Sequence, residues 1–159
     1  MPFVHRDDDR VTAIFARQQA GYAVEFLPDN HPDVLAYTNP GPTADDVGAE
    51  RDRRLGLGFV YDFKDARGAH RFATSEADMR GWDRVTKLKD ALLQSGATQA
   101  PITISTQTGV TQVTADEWND ILLWAAEYFE QPLWQASFIL QAMPVIPADY
   151  ATNPAYWPA

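Results

Sequence analysis

Three histidines, three consecutive aspartates and a group of carboxylates near a helix start are the side chains of this sequence with chemistry to offer. His5, His31 and His70 would suit zinc if the fold gathered them, because imidazole nitrogen is a favoured zinc ligand. They lie in three separate segments, and no pair has the spacing that puts two ligands on one helix face. His31 precedes a proline and reads as a turn residue, and His70 reads as an outward-facing strand position. Asp7-Asp8-Asp9 invites a cation, but a calcium loop alternates its ligands and needs a glycine and a distal glutamate, which are missing here. The run reads instead as a turn between two short strands. Asp116, Glu117 and Asp120 could in principle supply paired acid–base carboxylates for glycosidic chemistry. Acids are equally favoured in a first helical turn by the helix dipole, and Glu127 and Glu130 read as a solvated face. Ser75, Ser95, Ser105 and Ser137 lack the Gly-x-Ser-x-Gly elbow of a serine hydrolase. No glycine-rich phosphate cradle joins a strand to a helix, and the absence of cysteine removes thiol nucleophiles, disulfides and cysteine-ligated zinc. No catalytic residue, no cofactor and no metal is therefore expected.

The bulk properties narrow the classes further. A chain of 159 residues forms one domain, or one domain with a small appendage, and buries enough surface to fold without a metal or disulfide. Its formal net charge of -9 repels a phosphate backbone, so nucleic-acid binding is not expected. The best basic cluster, Arg51, Arg53 and Arg54, is interleaved with Glu50 and Asp52 and reads as a solvated helix face. No apolar run approaches the roughly 20 residues that span a bilayer. The N-terminal MPFVHRDDD has no basic region followed by an apolar core, so no signal peptide and no membrane insertion are expected. Five tryptophans serve either a core or an interface.

Positioning elements follow from periodicity and punctuation. Phe3 to His5 and Val11 to Phe15 read as short strands around the aspartate turn. Ala20-Gly21-Tyr22 breaks the pattern, Glu25 to Leu27 extends towards Pro28, and His31-Pro32 opens a short turn or helix through Tyr37. Asn39-Pro40-Gly41-Pro42 resists both helix and ladder and marks a linker. Thr43 can cap a helix that runs to about Leu57, weakened at Gly56 and Gly58. Phe59 to Phe63 and Ala69 to Ala73 form a hairpin across Lys64–Gly68. Ser75 and Asp78 open a helix with Met79, Trp82, Val85, Leu88 and Leu92 as its apolar stripe.

Ile102 to Thr106 alternates as a half-buried strand and pairs with Val110 to Val113. Thr114 and Glu117 are the strongest capping box. The final helix carries Trp118, Ile121, Leu122, Ala125, Tyr128, Phe129, Pro132, Leu133, Ala136, Ile139, Leu140 and Met143 on one stripe. Pro132 predicts a kink near Tyr128 to Pro132, with two separate helices as the alternative. Leu123, Trp124, Trp134 and Phe138 lie off the stripe, which means deep burial or a partner. Trp82, Trp118 and Trp124 read as core. From Pro144 an extended tail is expected, with Tyr150, Tyr156 and Trp157 available to pack.

The order of these parts resembles a domain of unknown function found near the C-terminal end of bacteriophage and prophage tail-fibre and tail-assembly proteins. The similarity rests on Arg51, Arg53 and Arg54, then Gly58-Phe59 with Tyr61. It continues through Phe72, the Met79–Trp82 helix, the Ile102–Val113 hairpin and the Thr114–Trp118 helix start. The stretch before it resembles the hairpin-plus-PGYAEEFL segment of such proteins, with Gln19-Ala20 and Val24 as departures. The family has no established catalytic residues, so no site is carried over. The resemblance implies a tail component or assembly factor whose partner is a tail or tail-fibre protein, made in the bacterial cytoplasm and, for a structural component, residing in the virion tail.

The expected architecture is α+β: a small, mostly antiparallel sheet packed by about three helices, with a long kinked C-terminal helix. Residues 1–40 form a hairpin arm and linker, 41–143 the main domain, and 144–159 the tail. The expected role is a non-enzymatic structural or assembly protein, possible as a homo-oligomer, with Leu123, Trp124, Trp134, Phe138, Tyr156 and Trp157 as candidate interface residues. The alternatives are a carbohydrate or small-ligand module stacking on exposed Trp and Tyr, and a hydrolase using the acidic residues.

Overall fold

Asp8 and Asp9 adopt φ of 44° and 65°, the left-handed pair that a two-residue hairpin turn requires. The aspartate run is therefore a turn, joining β1 (Phe3–Asp7) to β2 (Arg10–Phe15). β1 also pairs antiparallel with β3 (Glu25–Phe26), giving the sheet order β2-β1-β3. Helix α1 (Pro32–Thr38) starts at His31, whose ring nitrogen accepts the Asp33 amide. Val4, Leu27 and Val34 form a small core with Val11 and Ile14 against it. Arg6 ties the unit together, donating to Glu25 at 2.6 Å and to Asp33. The expected arm is thus a compact unit with its own core.

The computed structural model describes residues 2–158, and they divide into two such units. The first ends at Pro42 and takes in Val145–Ala148, and the second comprises Thr43–Pro144 with the residues from Asp149 onward.

Three helices of the second unit begin with a capping box. In α2 (Ala44–Leu55) Thr43 and Asp46 exchange bonds. Ser75 and Asp78 do so in α3 (Glu76–Gln94), and Thr114 and Glu117 in α4 (Ala115–Trp124). Each box satisfies two amides that a helix start leaves open. Two antiparallel hairpins lie between them, β4 (Phe59–Asp62) with β5 (Ala69–Phe72), and β6 (Ile102–Thr106) with β7 (Gly109–Val113). Among the described residues a single backbone–backbone bond, Gln107 N–H to Arg71 O at 2.9 Å, joins them. The core gathers Phe59, Phe72, Ile102, Ile104, Val113, Trp118, Ile121 and Ala125. The class is α+β as expected; among the described residues there are three small antiparallel sheets, one in the N-terminal arm and two hairpins where the main domain was expected to hold one sheet.

Two helix stripes differ from expectation. On α3, Trp82, Val85 and Leu92 pack on the core, whereas Met79 and Leu88 are exposed. Lys89 is buried in place of Leu88 and carries its amine out to Asp90 at 2.9 Å. A long aliphatic stem can cover apolar surface while its charge stays wet.

The last helix continues from α4 through a π-helical segment, Ala125–Glu130, into α5 (Gln131–Gln141). Gln131 N–H reaches back five residues to Ala126 O. The disturbance before Pro132 is therefore a wide turn that gains one residue, a form that absorbs a proline's missing donor within a continuous helix. The gained residue moves the buried face to Leu133, Ser137 and Leu140. Tyr128 and Ile139, expected in the core, are on the surface.

Candidate functional site

Of the three candidate carboxylates, Glu117 holds structure. Glu117 closes the α4 capping box and binds Arg67, whose two terminal nitrogens reach its carboxylate at 2.5 and 3.2 Å. Arg67 also binds Asp65, donates to Gln112 O, and lies 4.1 Å over the Phe63 ring. The Arg67 hydrogen bond is the main cause holding the Glu117 carboxyl below its ordinary value of 4.5. Glu117 is thus an anchored anion, unsuited to donate a proton near neutrality. Asp116 and Asp120 face solvent.

The histidines are also accounted for separately. His5 stacks on Tyr22 at 3.8 Å between centroids, His31 caps α1, and His70 Nδ1 lies 2.9 Å from Thr106 Oγ1. Among the described residues no three His, Asp or Glu side chains converge as a metal site.

The Arg-rich turn is not the solvated face that its charge pattern predicted. Glu50 is buried and accepts from Arg53 Nε at 2.7 Å and Arg54 Nε at 2.7 Å. The Arg53 bond is the largest cause lowering the Glu50 carboxyl below 4.5. Arg51 lies 3.8 Å over the Trp134 ring and Arg54 lies 4.8 Å over the Trp157 ring. A guanidinium is attracted to an aromatic face by the ring quadrupole.

Glu50 and Glu117 together set a pH dependence. Both have folded values below the unfolded 4.5, so their contribution is complete above that pH and fades as pH falls towards the folded values. Urea midpoints should be level from neutrality to about pH 5 and fall progressively below 4.5. Glu50→Gln with Glu117→Gln should flatten that fall, and an unchanged acid limb in the double variant would show that neither pair contributes.

The predicted interface residues part company in three dimensions. Trp124 is half-buried, 5.3 Å from Phe59 and 6.0 Å from Tyr61 between ring centroids. The tail is not extended. It folds back through turns, with Arg54 donating to Ala151 O and Tyr150 donating to Asp46 O. Trp157 is 5% exposed and its indole N–H already donates to Tyr150 O at 2.7 Å. It is therefore a packing residue, and Tyr156 is half-buried beside it in sequence.

Leu123, Trp134 and Phe138 remain exposed, at 60%, 47% and 76%. Trp134 and Phe138 are one turn apart on α5. Together with Gln135 and Ile139 they line one shallow apolar depression. Leu123 lies eleven residues before Trp134, roughly 16 Å along a helix at 1.5 Å per residue, and does not line that depression. The structure thus brings together Trp134 and Phe138, and adds Ile139, which the sequence assigned to the core. The clue to Ile139 was Pro132, whose effect on helical phase could have been read as a gained residue.

No helix among the described residues is long and apolar enough to cross a membrane. Comparison with protein-family models, with curated proteins and with solved structures finds no match to this chain.

Proposed function

We propose that this chain is a non-enzymatic docking protein that acts through the α5 ridge, and that its setting is the tail or tail-fibre assembly of a bacteriophage or prophage. The observation that supports docking is the exposure of Trp134, Phe138 and Ile139 side by side on one helix face. Large apolar side chains grouped on a surface favour association. Trp134 is also steadied by Arg51, so it enters a contact with part of its freedom already removed. The phage setting is supported by the sequence order described above: the Arg-rich turn, the Gly58-Phe59 strand, the Ile102–Val113 hairpin and the capped final helix. The partner is a second copy of this chain or a tail protein with a complementary apolar face. The stacking-platform alternative is weakened by the burial of Trp157.

Size-exclusion chromatography with light scattering tests the self-docking form. The wild-type chain should run as a dimer or trimer, and Phe138→Glu should run as a folded monomer with an unchanged circular-dichroism spectrum, since Phe138 is mostly exposed. A wild type that stays monomeric at millimolar concentration overturns self-docking through this face.

A further inference from the structure

A cleft of about 450 Å³ opens between β4 and the π-helical segment. Volumes of this order accept small ligands. Its floor is aromatic: Phe59 lies 5.3 Å from Trp124 and 5.4 Å from Phe129, and Tyr128 lies 5.7 Å from Trp124 at the rim. Arg54 and Arg71 line it, and no Asp or Glu does among the described residues.

Arg54 is committed to Glu50 and to Ala151 O. Arg71 is not. One of its guanidinium nitrogens donates to Leu57 O at 2.8 Å, and it forms no ion pair among the described residues. A guanidinium has five N–H donors arranged as a fork that matches a carboxylate. In a chain of net charge -9, most of the other arginines of the second unit have an acid beside them. Glu50 serves Arg53 and Arg54, Asp52 serves Arg51, and Asp65 and Glu117 serve Arg67. Arg71 is a cation left without one, and it lines an aromatic cavity.

We propose that this cleft binds an apolar group bearing a carboxylate, with the aromatic floor holding the apolar body and Arg71 holding the anion. The same chemistry is offered by a free aryl or alkyl acid and by the C-terminal end of a peptide whose last side chain is apolar. The inference stands apart from the α5 docking ridge, because Trp134 and Phe138 do not line the cleft.

The test is a titration of the isotope-labelled full chain, followed by NMR, with three probes: 4-phenylbutyrate, N-acetyl-Leu-Phe, and the uncharged C-terminal amide of that dipeptide. At least one acid should shift the Trp124 indole and Arg71 side-chain resonances, and the amide should bind about tenfold more weakly than its acid. Binding by the dipeptide acid alone identifies a chain end as the natural source, and binding by phenylbutyrate alone identifies a free acid. Arg71→Gln should remove the preference for acid over amide. Should that variant fail to fold, Tyr128→Asp, at an exposed rim position, places a negative charge at the cleft and should weaken acid binding about tenfold or more. Wild-type resonances of the cleft that do not move with either acid, or that move equally with acid and amide, overturn the proposal.

Discussion

Gly58→Ala is expected to destabilise the second unit by more than about 3 kcal/mol, enough to unfold a marginal domain. Gly58 turns the chain from the end of α2 into β4 at φ +75°, a region that costs an L residue roughly 1–2 kcal/mol. Steric overlap costs more. A Cβ at this position would sit 2.0 Å from Phe72 O and 3.1 Å from Phe72 C. Both are backbone atoms, so no side chain can swing aside. Phe72 pairs with Phe59 in the β4–β5 ladder and is buried in the core. The neighbouring Thr74 hydroxyl also donates to Leu55 O, holding the two chain segments together. Relief therefore requires opening the ladder or shifting the α2 end. Gly56 is the control: its φ is −69° and an added Cβ meets nothing closer than 3.5 Å. Gly56→Ala should be neutral or slightly stabilising. Urea unfolding of both variants, followed by tryptophan fluorescence, reads the difference, and equal midpoints would show that Gly58 is not the close-approach position.

Trp118→Ala should cost about 3–5 kcal/mol, the range for removing a large aromatic from a core. Trp118 is 2% exposed and lies 5.1 Å from Trp82 and 6.4 Å from Phe72 between ring centroids. Its indole N–H donates to Thr86 Oγ1 at 3.0 Å, which ties α4 to α3. Truncation leaves a cavity between both hairpins and both helices, where the surrounding rings are too stiff to collapse fully. Trp118→Phe keeps most of the apolar volume and should lose roughly 1–2 kcal/mol, largely the hydrogen bond and the smaller ring. Trp134→Ala tests the α5 ridge. It removes an exposed ring and the Arg51 contact, an interaction of about 0.5–1 kcal/mol at exposed sites. Comparable losses for Trp118→Ala and Trp134→Ala would mean that the α5 ridge is covered within the molecule, and the docking proposal would fall with that result.

Local structure was legible wherever a short stretch contains its own reason. Thr114 with Glu117 and Ser75 with Asp78 name their helix starts, because a hydroxyl and a carboxylate three residues apart can satisfy each other's amides without help from elsewhere. Thr43 reads as a cap, and its partner Asp46 completes the box. Asp8-Asp9 is a turn because short polar side chains tolerate left-handed backbone. Ile102 and Ile104 are buried and Thr103 and Ser105 exposed, as strict alternation requires.

What failed was anything decided by a distant neighbour. The Arg51–Arg54 turn reads as solvated because its charges alternate locally. Trp134 and Trp157, which cover two of its guanidinium groups, lie far along the chain from it. The tail reads as extended with Tyr150, Tyr156 and Trp157 available to pack, yet it folds back, Trp157 donating to Tyr150 O and Arg54 to Ala151 O.

The candidate site shows the division most sharply. Sequence alone determined that the last helix carries more apolar surface than one core stripe can hold, and that Pro132 must disturb it. Which residues end up outside was decided by the π turn at Ala125–Glu130. One gained residue rotates every later side chain, hiding Ser137 and exposing Ile139 beside Phe138. Helical periodicity is a local rule that assumes one hydrogen-bond register. Only the packed structure selects where that register slips, because the slip satisfies backbone groups and core contacts together.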